Sequence, residues 1–221
     1  GDELFAGYDP FCALTSAGLY DALMPRRVHQ AVRTLVSLLP TAHRNMSLDF
    51  RLKRTLRGLS YDRRLWNAVW LGPLDPSDLS DLFHEPTPLE ELYAEAIEQW
   101  EACPQDNLVD KTLQFYTKLY LQDDILVKAD RASMMNSLEV RAPYLDVDLV
   151  DFVRRIPHRY KYRRGCTKYL LKKSLEPVLP NKILYRSKKG FGVPIGKWFA
   201  EGRLTVREDG GPVNNASFIR K

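Results

Sequence analysis

Cysteine is scarce in this chain of 221 residues: only Cys12, Cys103 and Cys166 occur. An odd number of widely spaced thiols leaves no disulfide framework, so buried thiols and a reducing, cytoplasmic compartment are the expectation. Histidine is nearly as rare, and His29, His43, His84 and His158 stand isolated. That gives a histidine zinc centre or a serine–histidine triad little to build on. No apolar run approaches the roughly 18 to 20 residues of a membrane span, so a soluble chain with no membrane partner is expected. Gly-x-Gly-x-x-Gly, Gly-Lys-Ser/Thr, Gly-x-Ser-x-Gly and His-Glu-x-x-His are all missing, as is a helix-turn-helix signal. The opening residues Gly1-Asp2-Glu3-Leu4-Phe5 include no Met and no signal-peptide pattern, and the expectation is an internal piece of a longer protein.

Hydrophobic residues make up 44% of the chain and charged residues 28%, an ordinary globular balance that excludes wholesale disorder and a fibrous protein. The net charge of +5 conceals an asymmetry. Residues 1–153 hold 15 Lys+Arg and 24 Asp+Glu, a net of −9, whereas residues 154–221 hold 18 and 4, a net of +14. Residues 154–175 contain nine basic side chains and no acid. A block of this kind serves phosphates, nucleic acid or an anionic surface, or is simply a solvated face.

Apolar residues recur at helical spacing along most of the sequence. Val28–Leu39 is such a stripe and stops at Pro40; Tyr61–Trp70 ends at Gly72-Pro73. Leu89–Trp100, Asp110–Leu126, Leu145–Ile156 and Tyr169–Leu175 follow, the last two closed by Pro157 and Pro177. A period near 3.6 with Pro and Gly punctuation predicts amphipathic helices, and alternating strand patterns are nearly absent, so the segment is expected to be mainly α. Residues 72–88, rich in Pro, Asp and Ser, read as a connection with one helical turn. Residues 1–199 form the expected structured portion, and residues 200–221, with Gly-Gly-Pro and two Asn, a loop or disordered tail.

Three segments carry candidate chemistry. In Gly1-Asp2-Glu3-Leu4-Phe5-Ala6-Gly7-Tyr8, adjacent carboxylates could cap a helix N-terminus or hold Mg²⁺, which takes one or two carboxylates and shares its other positions with phosphate and water. In Asp130-Arg131-Ala132-Ser133-Met134-Met135-Asn136-Ser137-Leu138-Glu139-Val140-Arg141-Ala142-Pro143-Tyr144-Leu145-Asp146, mixed charges beside Met and Leu suggest polar groups aimed into a partly buried place. Glu139 and Arg141 do not face each other on a helix but share one side if Pro143 forces the backbone extended. Asp146 would then cap the helix that follows. An ion-pair and capping network explains this segment as well as a site does. In Arg186-Ser187-Lys188-Lys189-Gly190-Phe191-Gly192-Val193-Pro194, glycine between basic residues lets backbone approach an anion while lysine supplies a point charge. A basic surface loop is the alternative.

In this order, the three segments resemble the C-terminal synthetase domain of glutamine-hydrolysing asparagine synthetases, from Gly1 to about Phe199. The resemblance implies the helical C-terminal part of an α/β adenine-nucleotide-binding domain of the ATP-pyrophosphatase type. It implies ATP and Mg²⁺, and an aspartate whose side-chain carboxylate is adenylated, then aminated by ammonia from a glutaminase domain. By motif, Asp2 resembles the Mg²⁺ ligand, with Glu3 its companion carboxylate. Lys188 resembles the lysine that stabilises phosphate charge, and Gly190 lies in the same nucleotide-binding turn; Lys188 and Glu3 are the expected catalytic groups. Glu139 and Arg141 resemble the pair shaping the acceptor pocket, and Asp130 and Arg131 lie on the helix that lines it. The family's Ser-Gly-Gly-x-Asp-Ser loop, its glutaminase cysteine and its active-site glutamate two positions before Gly1 are missing, so the 221 residues are expected to be inactive alone. A full-length parent could be a homodimer. Two other readings stand beside this one: a superfamily paralogue acting on an exopolysaccharide sugar, β-lactam or peptide precursor, and a non-enzymatic helical module binding nucleic acid through Arg159-Tyr160-Lys161-Tyr162-Arg163-Arg164. The resemblance weighs against nucleic acid as a partner.

Overall fold

The periodic stripes become helices in the computed structural model, which describes residues 1–40, 47–82, 85, 87–186, 197, 198, 201 and 202. In chain order these are α1 (Asp9–Leu23), α2 (Arg26–Ser37), α3 (Leu48–Gly58), α4 (Trp66–Leu71), α5 (Pro76–Leu82), α6 (Leu89–Leu92), α7 (Ala94–Ala102), α8 (Leu108–Phe115), α9 (Val127–Met134), α10 (Val147–Arg155), α11 (His158–Lys161), α12 (Tyr169–Leu175) and α13 (Asn181–Leu184). Short 3₁₀ turns at Arg63–Leu65 and Pro143–Leu145 lead into α4 and α10, and the wider π-helical stretch Tyr116–Leu126 joins α8 to α9. Among the described residues no strand forms; a lone antiparallel bridge pairs Arg163 with Cys166. The chain is mainly helical, as its periodicity predicts. Of the three described α-helices longer than ten residues, two, α1 and α3, lie outside the stripes of the sequence. In α1 only Phe11, Leu14 and Ala17 are buried, and α3 buries Leu56 and Gly58 on an arginine-rich helix.

The described backbone packs as two compact units. One comprises the described residues of Gly1–Ala22 and Glu95–Ser187, the other the described residues of Leu23–Ala94 and Lys188–Lys221. In the first, Leu4, Phe5 and Val153 form a buried cluster against which Leu149, Val150 and Leu171 pack. Each such side chain contributes roughly 1.5–3 kcal/mol when removed from water, so the opening turn of the chain is held by α10 and α12. The carboxylate of Asp146 accepts the Leu149 N–H at 3.1 Å and caps α10 as expected.

In the second unit α3 packs against α2 and α4, with Trp66, Val69 and Trp70 buried. A Cβ on Gly58 would lie 2.1 Å from the Trp70 indole nitrogen, so only glycine lets these helices meet. Arg57 donates to the carbonyls of Val69 and Gly72 at 2.8 and 2.7 Å, satisfying groups that the end of α4 leaves open. Asp75, buried in the same unit, accepts hydrogen bonds from Arg33, the Tyr61 hydroxyl and the Ser77 hydroxyl and N–H.

None of the three cysteines forms a disulfide, and only Cys103 is buried. Cys12 is exposed, contrary to the expectation of three buried thiols, because α1 turns Phe11 and Leu14 inward and leaves position 12 on its outer side. No helix among the described residues is long and apolar enough to cross a membrane.

Candidate functional site

Asp2 and Glu3 do not cap a helix. They sit in a tight turn ahead of α1, closed by Phe5 N–H to Gly1 C=O at 3.2 Å and Gly7 N–H to Asp2 C=O at 2.7 Å. Ala6 takes a left-handed φ of 55° within this turn. The two carboxylates point to different environments. Glu3 is buried and accepts a hydrogen bond from the Tyr8 hydroxyl. Tyr8 in turn stacks on Tyr116, centroids 4.8 Å apart, and meets the edge of Tyr120 at 5.6 Å. Burial and the Glu3 carboxylate push the Tyr8 phenol far above its ordinary pKa, so it remains a hydrogen-bond donor to Glu3.

Asp2 is partly exposed, and its Oδ1 lies 2.9 Å from the Lys168 ammonium. Lys168 also donates its backbone N–H to the Phe5 carbonyl at 3.1 Å. A Cβ on Gly7 would lie 2.1 Å from Asp2 Oδ1 and 2.3 Å from Lys168 Cε. The bare glycine thus keeps open a small cradle occupied by one carboxylate and one positive charge. Asp2 offers one hard anionic oxygen at partly exposed depth, the kind of donor Mg²⁺ takes alongside water and phosphate, and the Lys168 ammonium facing it would compete with a metal ion for that oxygen. No group of three or more His, Cys, Asp or Glu among the described residues is placed to hold a metal ion by itself.

The middle segment is exposed rather than partly buried as its composition suggests. α9 carries Asp130 and Arg131 on its solvent side and ends at Met134; Ser137 adopts φ 54° to turn the chain out. From Leu138 to Ala142 the backbone is irregular and becomes extended before Pro143, and Arg141 Nε donates to Glu139 Oε1 at 2.6 Å. Glu139 and Arg141 thus share one side, as the pre-proline restriction predicts, but both side chains are solvated. None of the described elements covers Met135, which is 86% exposed.

Lys188 and Gly190 fall outside the described residues, as does the rest of 187–196. The basic stretch 154–175 is mostly solvent-facing. One member, Lys161, is buried beside Asp110; burial lowers its ammonium pKa while Asp110 opposes the shift. Asp110 also receives His158 Nδ1 at 3.0 Å. Sequence reasoning missed Lys168, Gly7 and Tyr8. The left-handed turn at Arg164 and Gly165 that delivers Lys168 has its signal in Gly165, but nothing local links position 168 to position 2.

Comparison with known proteins adds a direct result. The asparagine synthase family model matches residues 1–209. A Mycobacterium tuberculosis (strain H37Rv) protein provisionally named asparagine synthetase [glutamine-hydrolyzing] is 34% identical over 204 residues, covering 92% of this chain and 30% of the relative. Asparagine synthetase [glutamine-hydrolyzing] 1 of Bacillus subtilis (strain 168) is 47% identical over 79 residues, 36% of this chain and 12% of the relative. Amidase chry2 of Gibberella zeae is 24% identical over 216 residues, 89% of this chain and 31% of the relative. No solved structure matches significantly. The chain spans about 30% of the mycobacterial relative it matches. On this similarity and the family match over residues 1–209, the chain belongs to the asparagine synthase family.

Proposed function

We propose that the chain is the helical portion of an ATP-dependent synthetase that makes asparagine from aspartate and ammonia. Family membership supports an amide-forming, ATP-consuming reaction. The observation that carries the site is the locked Asp2 turn, where a partly exposed carboxylate faces a cation in a cradle kept open by Gly7. In the proposed reaction the aspartate side-chain oxygen attacks the α-phosphorus of ATP and pyrophosphate leaves. Ammonia then attacks the activated acyl carbon, losing a proton as AMP departs. Mg²⁺, held by Asp2, would neutralise phosphate charge during pyrophosphate departure. Glu3, its companion, anchors the turn from beneath through Tyr8. By the motif resemblance alone, Lys188 would supply positive charge to the phosphates, with Gly190 in the same nucleotide-binding turn. Glu139 and Arg141 shape the acceptor side, with Asp130 and Arg131 on the neighbouring helix.

Ammonia from a glutaminase domain, a homodimeric parent and a cytoplasmic setting complete this proposal. The similarity to a protein that bears a name other than asparagine synthetase supports a second reading, in which the acceptor is not aspartate. ATP–pyrophosphate exchange separates the two. With the product of the complete reading frame containing these residues, aspartate should stimulate exchange well above other carboxylic acids; stimulation by a different acid and not by aspartate contradicts the asparagine assignment. The 221 residues alone, which contain no Ser-Gly-Gly-x-Asp-Ser loop, should show no exchange above background.

A further inference from the structure

We propose that Cys166 and Cys12 form a thiol–disulfide site, in which Cys166 attacks a small-molecule disulfide and Cys12 then closes a reversible cross-link from α1 to the turn ahead of α12. Neither thiol takes part in the ATP-dependent chemistry proposed above. Far apart in sequence, the two meet within one unit of the fold. Cys12 Sγ lies 4.0 Å from the carbonyl oxygen of Gly165, the residue bonded to Cys166. Standard peptide geometry then bounds the distance from Cys12 Sγ to the Cys166 Cα at about 7 Å. A disulfide takes Cα atoms roughly 4.4–6.8 Å apart, a spacing within reach of one rotamer change and a small shift of the turn.

The turn has room for that shift. Arg163 and Cys166 exchange backbone hydrogen bonds of 3.1 and 2.9 Å, and the residues between them, Arg164 and Gly165, stand at φ 48° and 81°. Residues 163–165 are exposed, and a Cβ on Gly165 would meet nothing within 4 Å. Cys12 is exposed on α1 and Cys166 is half-buried, so a small disulfide reaches the pair from solvent. Tyr162 belongs to the same spot: burial first, then the charge of Cys12, raises its phenol above the ordinary value, while the Gly165 backbone opposes the shift.

The surroundings of the two thiols set the order of events. The Lys172 ammonium donates to Cys166 Sγ at 3.9 Å and sits over the Tyr185 ring at 5.6 Å. A positive charge there favours attack by sulfur, which acts as the thiolate. Cys166 Sγ attacks one sulfur of a small disulfide; its S–S bond breaks, one small thiolate leaves, and a mixed disulfide forms on Cys166. Cys12 then gives up its proton and attacks Cys166 Sγ, expelling the second small thiolate. The two protein thiols are oxidised, the small disulfide is reduced to two thiols, and the leaving thiolates take up the two protons released. In a reducing compartment such a bond is transient, the form in which cytosolic disulfides serve redox sensing.

Incubation of the product of the complete reading frame with oxidised glutathione, followed by acid quenching and peptide mass spectrometry, tests this without reference to activity. The wild type should yield a peptide pair joined through Cys12 and Cys166, lost again in dithiothreitol, with buried Cys103 unmodified. Cys12→Ser should stop at a glutathione adduct on Cys166, and Cys12→Ala carries this arm if the serine variant loses its helical circular dichroism. Lys172→Gln should slow the first step roughly tenfold, whereas Lys172→Arg should keep the wild-type rate. A wild type that retains the glutathione adduct without closing it, or that never joins the two cysteines, overturns the site. A cross-link that forms equally fast in Lys172→Gln overturns the role of Lys172 and the order of attack. Adducts on Cys103 forming as fast as on Cys166 overturn the site as well, since the surroundings of Cys166 would then confer nothing.

Discussion

Gly7 shows how much of the site depends on an atom that is absent. Gly7→Ala would place a methyl group 2.1 Å from Asp2 Oδ1 and 2.9 Å from the Asp2 Cα. The flexible ends of Asp2 and Lys168 can withdraw, but the backbone contact remains, and overpacking of this kind costs about 1–3 kcal/mol. Urea denaturation should show a correspondingly lower midpoint for Gly7→Ala; an unchanged midpoint would mean that the turn is looser than described. In the other unit Asp75 makes a pH-dependent contribution. Burial opposes its ionisation, but the bonds from Tyr61 and Ser77 and the Arg33 guanidinium outweigh burial and hold its carboxyl below the ordinary value of 3.8. The folded state thus binds this proton less readily than the unfolded chain. The resulting stabilisation is fully present above that ordinary value and is lost as pH falls through the lower folded one. Asp75→Asn should destabilise the chain by about 1–3 kcal/mol at neutral pH and flatten the acid limb of its stability profile; an acid limb matching the wild type counts against the network.

At the scale of elements, α10 links the capping chemistry to the site. Asp146 caps its first turn, and Leu149, Val150 and Val153 along it pack under Leu4 and Phe5, next to Asp2 and Glu3. Asp146→Ala should cost about 1 kcal/mol in thermal denaturation, whereas Asp146→Asn should stay near wild type; equal losses in both would place the role in the charge rather than the cap. The α10 cap was legible because Pro143 and Asp146 are local signals, and α12 matches its apolar stripe from Tyr169 to Leu175. α1 was not legible, since its buried Phe11, Leu14 and Ala17 are accompanied by exposed Leu19 and Leu23, which blur the stripe. The π-helical stretch was hidden for another reason. Leu113, Tyr116 and Tyr120 suit a 3.6-residue period, yet the backbone widens there, and Tyr116 and Tyr120 both reach Tyr8. A tertiary aromatic cluster accompanies that geometry, and π segments often accompany functional sites.

For the whole molecule, the division of charge takes on chemical meaning at one point. The acidic front supplies Asp2 and Glu3, and the basic back supplies Lys168, which the long-range pairing with Asp2 sets apart from its mostly solvated neighbours. Candidate residues could be named from motifs because nucleotide chemistry demands carboxylates and lysines in short, ordered segments. Lys168 could not, because its partner is distant in sequence and only the folded chain brings them together. The central claim is that Asp2 holds the metal in an aspartate-adenylating synthetase. Its most direct test is aspartate-dependent pyrophosphate release from ATP by the product of the complete reading frame, comparing wild type with Asp2→Asn. The account predicts at least a hundredfold loss of release in Asp2→Asn, on the order of the 10²–10³ seen when one group stabilising transition-state charge is removed, with far-ultraviolet circular dichroism unchanged. Release at the wild-type rate from Asp2→Asn would contradict it.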